Sequence, residues 1–79
     1  MAQAYVLIQT QVGAAGRGVS KEVSRLKGVT LADDVSGPYD VIARAEARTL
    51  DELAKMVVGR IQAIDGVLRT LTCPVVRLT

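Results

Sequence analysis

Two junctions in the sequence repeat one short pattern, and this repeat limits the possible folds more than any other feature. Residues 26–29 read Leu-Lys-Gly-Val and residues 64–67 read Ile-Asp-Gly-Val, 38 positions later. In both places an amphipathic stretch gives way to a β-rich stretch, and a glycine stands where helices commonly end. The repeat therefore predicts two copies of a strand–helix–strand unit within 79 residues.

Hydrophobic periodicity predicts four strands and two helices. The strands are predicted over residues 3–12, 29–35, 39–47 and 67–76. The first helix carries Val19, Val23 and Leu26 at helical spacing, and we expect Gly28 to end it. Pro74 cannot donate a ladder hydrogen bond, so the last strand should lie at an edge or stop pairing there. This order predicts the α+β class: a ferredoxin-like βαββαβ sandwich with four antiparallel strands and both helices on one face.

The second helix has a start signal in the sequence. Thr49 and Glu52 have the T-x-x-E spacing of a capping box, in which each side chain accepts a hydrogen bond from the other residue's backbone N–H. Gly66 is expected to stop the helix. Its apolar stripe is predicted to contain Leu50, Leu53, Val57, Ile61 and Ile64.

Two helices can cover only one face of a four-stranded sheet, and the strands carry apolar residues for both faces. In the first strand, Tyr5 and Leu7 alternate with Ala4, Val6 and Ile8. A standard protein–protein interface buries about 1,600 Å², of which about 65% is apolar in a homodimer. Burial of that apolar surface favours association by on the order of 25 kcal/mol, which exceeds the association cost of about 4–15 kcal/mol. This comparison predicts a homodimer, a dimeric α+β barrel formed by sheet-to-sheet packing. The alternative is a sheet face left exposed.

The composition excludes several classes of site. The chain has no histidine and one cysteine, Cys73, which we expect to be reduced and packed. An internal disulfide is therefore impossible, a zinc site lacks ligands, and Ser-His or Cys-His nucleophiles cannot form. We expect no metal, no cofactor and no enzymatic activity.

The charge balance and the chain ends bear on partners and location. The chain has ten Lys and Arg residues and eight Asp and Glu residues, so its net charge is +2. No run of four consecutive basic residues occurs. Arg17, Lys21, Arg25 and Lys27 form a modest basic helix face, which we interpret as solvated surface rather than a nucleic-acid site. No apolar run reaches the roughly 18 residues of a membrane span, and the N-terminus lacks a signal peptide. We expect one cytoplasmic domain over residues 1–79.

The densest group of functional side chains lies over residues 33–40 (DDVSGPYD). Exposed backbone groups around Gly37 could bind a small zwitterion, with Asp34 or Asp40 receiving its ammonium group and Tyr39 forming a wall. The alternative is an ordinary turn, in which the Gly-Pro pair serves backbone geometry only. Two threonines on one face of the last strand are further candidates, although threonine is common in strands.

Two of these segments resemble a known family. Residues 34–41 (DVSGPYDV) resemble the G-x-Y-D turn of the ligand-binding domain of the Lrp/AsnC family of regulators. Residues 61–72 (IQAIDGVLRTLT) are similar to the closing helix, Gly-Val step and T-x-T strand of that domain. The resemblance covers nearly the whole chain in the right order. It implies the ferredoxin-like RAM domain (regulation of amino acid metabolism), dimerised through its sheets, with dimers often joined into rings of four.

The resemblance also implies a function. In this family an amino acid binds at interfaces between dimers and regulates transcription. By position, the turn would line the effector site and the threonines would approach it from the last strand. The candidate ligand-binding residues are Asp34, Gly37, Pro38, Tyr39, Asp40, Thr70 and Thr72.

Full-length family members carry an N-terminal helix-turn-helix domain, whereas this chain starts directly at its first strand. The resemblance then implies a stand-alone effector domain that binds no specific DNA itself. Such a domain could co-assemble with full-length regulators through matching surfaces.

Two other interpretations remain open on the sequence. A small cofactor-free monooxygenase or isomerase can use the same dimeric barrel, although such enzymes usually need His, Asn or Trp inside it, and the chain has none of these. An amino-acid-binding ACT-type domain shares the strand order. A C-x-x-C metal-binding domain and an RNA-recognition module are disfavoured by the single cysteine and the absence of phenylalanine.

Overall fold

The computed structural model describes residues 1–13 and 16–76 and shows four strands and two helices in the predicted order. The strands are β1 (Ala2–Thr10), β2 (Val29–Asp34), β3 (Val41–Ala47) and β4 (Val67–Pro74). The helices are α1 (Val19–Ser24) and α2 (residues 50–62).

The four strands form one antiparallel sheet in the order β2-β3-β1-β4. This is the ferredoxin-like arrangement, in which β1 and β3 are central and β2 and β4 form the edges, so the predicted fold class is confirmed. Pro74 pairs with Ala4 as the last residue of the edge strand β4. An edge strand tolerates proline, which has no backbone N–H, because one side of the strand has no partner to hydrogen-bond. The prediction for Pro74 is therefore confirmed.

Five strand boundaries differ from the predicted ones by one or two residues, and two of these differences have identifiable causes. The first strand ends at Thr10, because Gln11 N donates to Gly66 O (2.8 Å) at the second helix–strand junction instead of continuing the ladder. The third strand begins at Val41, because the preceding residues form the turn that follows β2. The last three residues of the chain lie outside the described part.

The repeated junctions have the same geometry. At the first, Val29 N donates to Leu26 O (3.1 Å), and at the second, Val67 N donates to Ile64 O (3.2 Å). In both halves the helix ends four residues before the glycine, so the prediction that each helix extends to the glycine is wrong. The intervening turn explains the difference: its hydrogen bonds span three residues instead of four.

The core lies between the helices and one face of the sheet. Alternate residues of β1 and β3 are buried there, as the period of two predicts. In the described part of the chain, no polar or charged residue is buried. The buried apolar residues are Ala4, Val6, Ile8, Val19, Val23, Val41, Ala43, Ala45, Leu53, Val57, Val58 and Ile61.

Helix α2 contains one widened segment that the sequence analysis missed. Residues Leu53–Val58 form a π-helical turn between two α-helical segments. Leu53, Val57 and Ile61 are buried and lie four residues apart. An α-helix has about 3.6 residues per turn, so side chains at this spacing would shift gradually around the helix axis. The wider turn reduces that drift and keeps all three on the core side.

Leu50 does not belong to the buried stripe, because it is 48% exposed. It is the first helical residue, three positions after β3 ends at Ala47, where the sheet no longer continues beneath the helix. Ile64, in the turn after α2, packs against the core as predicted.

The N-terminal cap of α2 forms only half of the predicted capping box. Thr49 Oγ1 accepts a hydrogen bond from Glu52 N (3.1 Å), as expected for an N-cap. The Glu52 carboxylate instead accepts from the guanidinium of Arg48 (3.3 Å). An arginine four residues earlier thus competes successfully for the carboxylate that a capping box requires.

Candidate functional site

The turn over residues 35–40 joins β2 to β3 and leaves backbone donors unpaired. Val35 N donates to Asp40 O (2.9 Å) and closes the turn. Within the described part of the chain, the N–H groups of Ser36, Gly37 and Tyr39 make no hydrogen bond. Ser36, Gly37 and the following Pro38 are exposed, and Tyr39 is half-buried. The turn therefore offers donors to a ligand or to water.

The two candidate carboxylates have different surroundings. Asp40 Oδ2 accepts from Thr10 N (2.9 Å) and Thr10 Oγ1 (3.2 Å), while Asp40 N donates to Ile8 O (2.9 Å). These bonds fasten the turn to the end of β1, so Asp40 acts as a positioning group. Asp34 is exposed, and its side chain has no partner among the described residues. It is the carboxylate that remains free to receive an ammonium group.

The two threonines lie away from the turn. Register pairing across the sheet connects, in order, Asp34 of β2, Val41 of β3, Ile8 of β1 and Thr70 of β4. Asp34 and Thr70 are thus separated by three strand spacings, about 14 Å. One chain does not bring the turn and the threonines into a single pocket.

Both threonines belong to the helix-facing side of the edge strand β4. Thr70 Oγ1 accepts from Gln62 Nε2 of α2 (3.0 Å), which ties the strand to the helix end. Thr72 pairs with Val6, two residues further along the strand from the turn, and is half-buried.

The face of the sheet away from the helices, called the open face below, has an apolar row across its middle. Ile42, Leu7 and Leu71 are register partners along this row. Leu71 is 47% exposed, and the adjoining Tyr5 and Leu31 are 39% and 48% exposed. The expectation that apolar residues occupy both faces is confirmed for these strands.

Polar side chains flank this row in hydrogen-bonded groups. Arg44 donates to Tyr5 Oη (2.8 Å) and to Gln3 Oε1 (3.0 Å), and its guanidinium lies 5.3 Å from the centroid of the Tyr5 ring. Arg69 Nε donates to Gln9 Oε1 (2.6 Å). These hydrogen bonds tether both arginines to side chains of the neighbouring strand β1.

Cys73 was expected to be packed but is exposed. It pairs with Tyr5 across the edge strand, so its side chain lies on the open face. None of the described residues covers that face, which explains why an apolar residue type at this position is accessible.

A groove of about 520 Å³ lies at the end of the sheet opposite the turn. It is bordered by the first helix–strand junction at Gly28, the end of β3 at Ala47 and the π-helical turn at Val57. The sequence analysis did not assign it. In the sequence only Gly28 signals this groove, and a glycine at a helix–strand junction predicts a helix end rather than a groove.

The described residues contain no group of three or more His, Cys, Asp or Glu side chains arranged to hold a metal ion. None of the helices over residues 1–13 and 16–76 is long and apolar enough to cross a membrane.

Comparison with known proteins identifies the family of the chain. A family model described as the Lrp/AsnC ligand binding domain matches residues 3–78. An uncharacterized HTH-type transcriptional regulator of Pyrococcus horikoshii is 28% identical over 71 residues, which are 87% of this chain and 47% of the regulator. The chain therefore spans about half the length of this relative. Homocitrate synthase of Sulfurisphaera tokodaii is 28% identical over 75 residues, which are 95% of this chain and 16% of the synthase.

Solved structures show the same fold. A crystal structure from Thermus thermophilus has a TM-score of 0.86 at 30% identity and covers 100% of this chain and 98% of its own. A transcriptional regulator of Neisseria meningitidis, solved as a complex with L-methionine, has a TM-score of 0.83 at 16% identity, over 96% of this chain and 50% of its own.

The fold and these matches define the class of the protein: it is a ferredoxin-like α+β domain of the transcription-regulator type. The chain belongs to the Lrp/AsnC ligand-binding domain family. The family is regulatory, and the resemblance noted in the sequence is confirmed.

Proposed function

We propose that the chain is an amino-acid-binding, oligomeric regulatory module that acts in the transcriptional control of amino-acid metabolism. The observation that carries the proposal is the turn, where unpaired backbone donors lie beside the unpaired carboxylate of Asp34. Backbone N–H groups suit an α-carboxylate, and a free aspartate suits an α-ammonium group. Half-buried Tyr39 supplies an apolar wall. The methionine complex of the Neisseria regulator supports this ligand class.

A second part of the proposal is that the site is completed by another copy of the chain. The turn lies on an exposed connection, and Thr70 is about 14 Å from Asp34 across the sheet. A junction between dimers could bring the turn of one copy towards the threonines of another. An amino acid held by both copies then favours the assembled state by its differential affinity. We propose a ring of four dimers as that state.

The proposed dimer forms through the open face. Its apolar row supplies the buried surface, and its charged residues are balanced: Arg44 and Arg69 against Asp33 and Glu46. A two-fold axis repeats each contact, so a face with equal numbers of both charges can be self-complementary. This arrangement would also cover Cys73.

We propose that the module acts on transcription without specific DNA binding of its own, by co-assembling with full-length regulators through matching surfaces. The helix-turn-helix relative, of which this chain covers 47%, supports the existence of such partners. A gel shift against regulator-type and random DNA tests this part. Sequence-selective retention by the chain alone would contradict it.

The direct test is a thermal-shift screen of the assembled protein with each of the twenty amino acids, starting with methionine. A ligand present at about 100 times its Kd stabilises the native state by about 2.7 kcal/mol, which a thermal shift detects easily. Asp34→Asn should abolish the shift without lowering the basal Tm, because the Asp34 side chain has no hydrogen-bond or ion-pair partner among the described residues.

Asp65→Asn is the matched control, since Asp65 is also exposed and unpartnered and lies on a different loop. It should respond to the ligand as the wild type does. If none of the twenty amino acids raises the Tm at millimolar concentration, the effector proposal is wrong.

A further inference from the structure

The groove at the end of the sheet opposite the turn has the size and rigidity of a small-molecule site. Its volume of about 520 Å³ falls in the usual range for ligand pockets. Gly28 O accepts a hydrogen bond from Glu46 N (2.7 Å), which fixes the helix–strand junction to β3. The junction side of the groove is therefore anchored to the sheet, and Met1 at the chain end also lines the groove.

The floor of the groove is apolar and depends on a glycine. Gly28 has φ +95°, and a Cβ there would lie 2.8 Å from Val57 Cγ2 and 3.0 Å from Glu46 O. Val57 reaches this place from the π-helical turn, and Ala47 lies on the helix-facing side of β3. Junction, helix and strand thus meet at a surface without polar side chains.

The rim of the groove carries an excess of positive charge. Lys27 and Arg60 are exposed and have no partner in the described part of the chain. Arg48 and Glu52 also border the groove, but they pair with each other at 3.3 Å. Two cationic groups therefore remain uncompensated.

Glu46 does not supply the missing negative charge. It alternates with buried Ala45, so its side chain lies on the open face and its backbone borders the groove. The groove thus lacks a free carboxylate, in contrast to the turn, where Asp34 is free.

We infer that this groove is a second ligand site, which binds a small aliphatic carboxylate that has no ammonium group. The anionic group would lie between Lys27 and Arg60, and a short hydrocarbon body would lie on the floor at Gly28 and Val57. A zwitterionic amino acid fits less well, because its ammonium group would meet two cations and no free carboxylate. The site is on the helix side of the sheet, so the proposed dimer leaves it open.

The test is an NMR titration of the ¹⁵N-labelled full chain with hexanoate as the probe. We expect saturable shift changes at the backbone amides of Gly28, Ala47 and Val57. Lys27→Gln and Arg60→Gln should each weaken binding about 3- to 10-fold, because each removes one charged contact at an exposed site. Arg25→Gln, an exposed change on the first junction outside the groove, should bind hexanoate like the wild type.

Two further probes test separately the effect of an ammonium group and the effect of the hydrocarbon body. Norleucine has the same carbon chain plus an ammonium group and should perturb the groove amides less than hexanoate does. Inorganic phosphate tests whether charge alone is enough, and equal affinity for phosphate would contradict a role for the floor. The inference is also overturned if hexanoate shifts only other amides, or if both charge variants bind it normally. Asp34→Asn should retain hexanoate binding, so failure at the turn and failure at the groove are distinguishable.

Discussion

Replacing Gly28 by alanine should destabilise the domain strongly, because two separate costs meet at this residue. Gly28 adopts φ +95°, and a left-handed conformation costs an alanine about 1–2 kcal/mol. The added Cβ would also lie 2.8 Å from Val57 Cγ2 and 3.0 Å from a backbone oxygen. Overpacking of this kind costs about 1–3 kcal/mol. We expect a loss of about 2–5 kcal/mol in the free energy of unfolding, out of a total of about 5–15 kcal/mol for a small domain.

Gly18→Ala is the matched control for this prediction. Gly18 has φ +75°, but nothing lies within 4 Å of the position its Cβ would occupy. It should therefore show only the backbone cost, about 1–2 kcal/mol. Urea unfolding at one fixed protein concentration measures both variants, since the stability of an oligomer depends on concentration. If the two variants lose equal stability, the close packing of the junction against Val57 is wrong.

Two smaller predictions concern the α2 cap and the turn. Thr49→Ala should lower the free energy of unfolding by about 1 kcal/mol, because it removes the acceptor for Glu52 N. Glu52→Gln should change the free energy of unfolding by less than about 0.5 kcal/mol, because the Glu52 carboxylate pairs only with the exposed Arg48. Equal losses for the two variants in urea unfolding would favour the full capping box. Asp40→Ala should lower the free energy of unfolding by about 1–2 kcal/mol, because Thr10 N–H and Oγ1–H lose their acceptor. It should also broaden the NMR resonances of the turn amides. An unchanged spectrum would refute its positioning role.

The element order was predictable because it follows from local patterns. The alternation in β1 and β3 and the repeated Gly-Val junctions come directly from side-chain period and glycine chemistry, and the structure confirms the βαββαβ order and the edge position of Pro74. The error at the end of β1 arose because a long-range bond decides where this strand stops. Gln11 leaves the ladder because it finds Gly66 O, a partner 55 positions away that no local pattern reveals.

The candidate site was predictable only as a set of residues. The turn could be recognised from its composition, but the sequence could not assign separate roles to its carboxylates. Asp40 is engaged because Thr10, 30 positions away in the chain, donates hydrogen bonds to it, whereas the Asp34 side chain has no hydrogen-bond or ion-pair partner among the described residues. The groove escaped notice because Lys27 and Arg60 come from different elements and each alone resembles an ordinary surface charge.

The central claim is that the open face is covered by a second copy of the chain, and sedimentation equilibrium tests it most directly. At micromolar concentration we expect species at twice the 8.4 kDa chain mass or at multiples of the dimer. Leu71→Asp, which puts a charge into the apolar row, should dissociate the dimer, whereas Val12→Asp, at a fully exposed residue outside the sheet, should not. A well-folded wild-type monomer under these conditions would contradict the account.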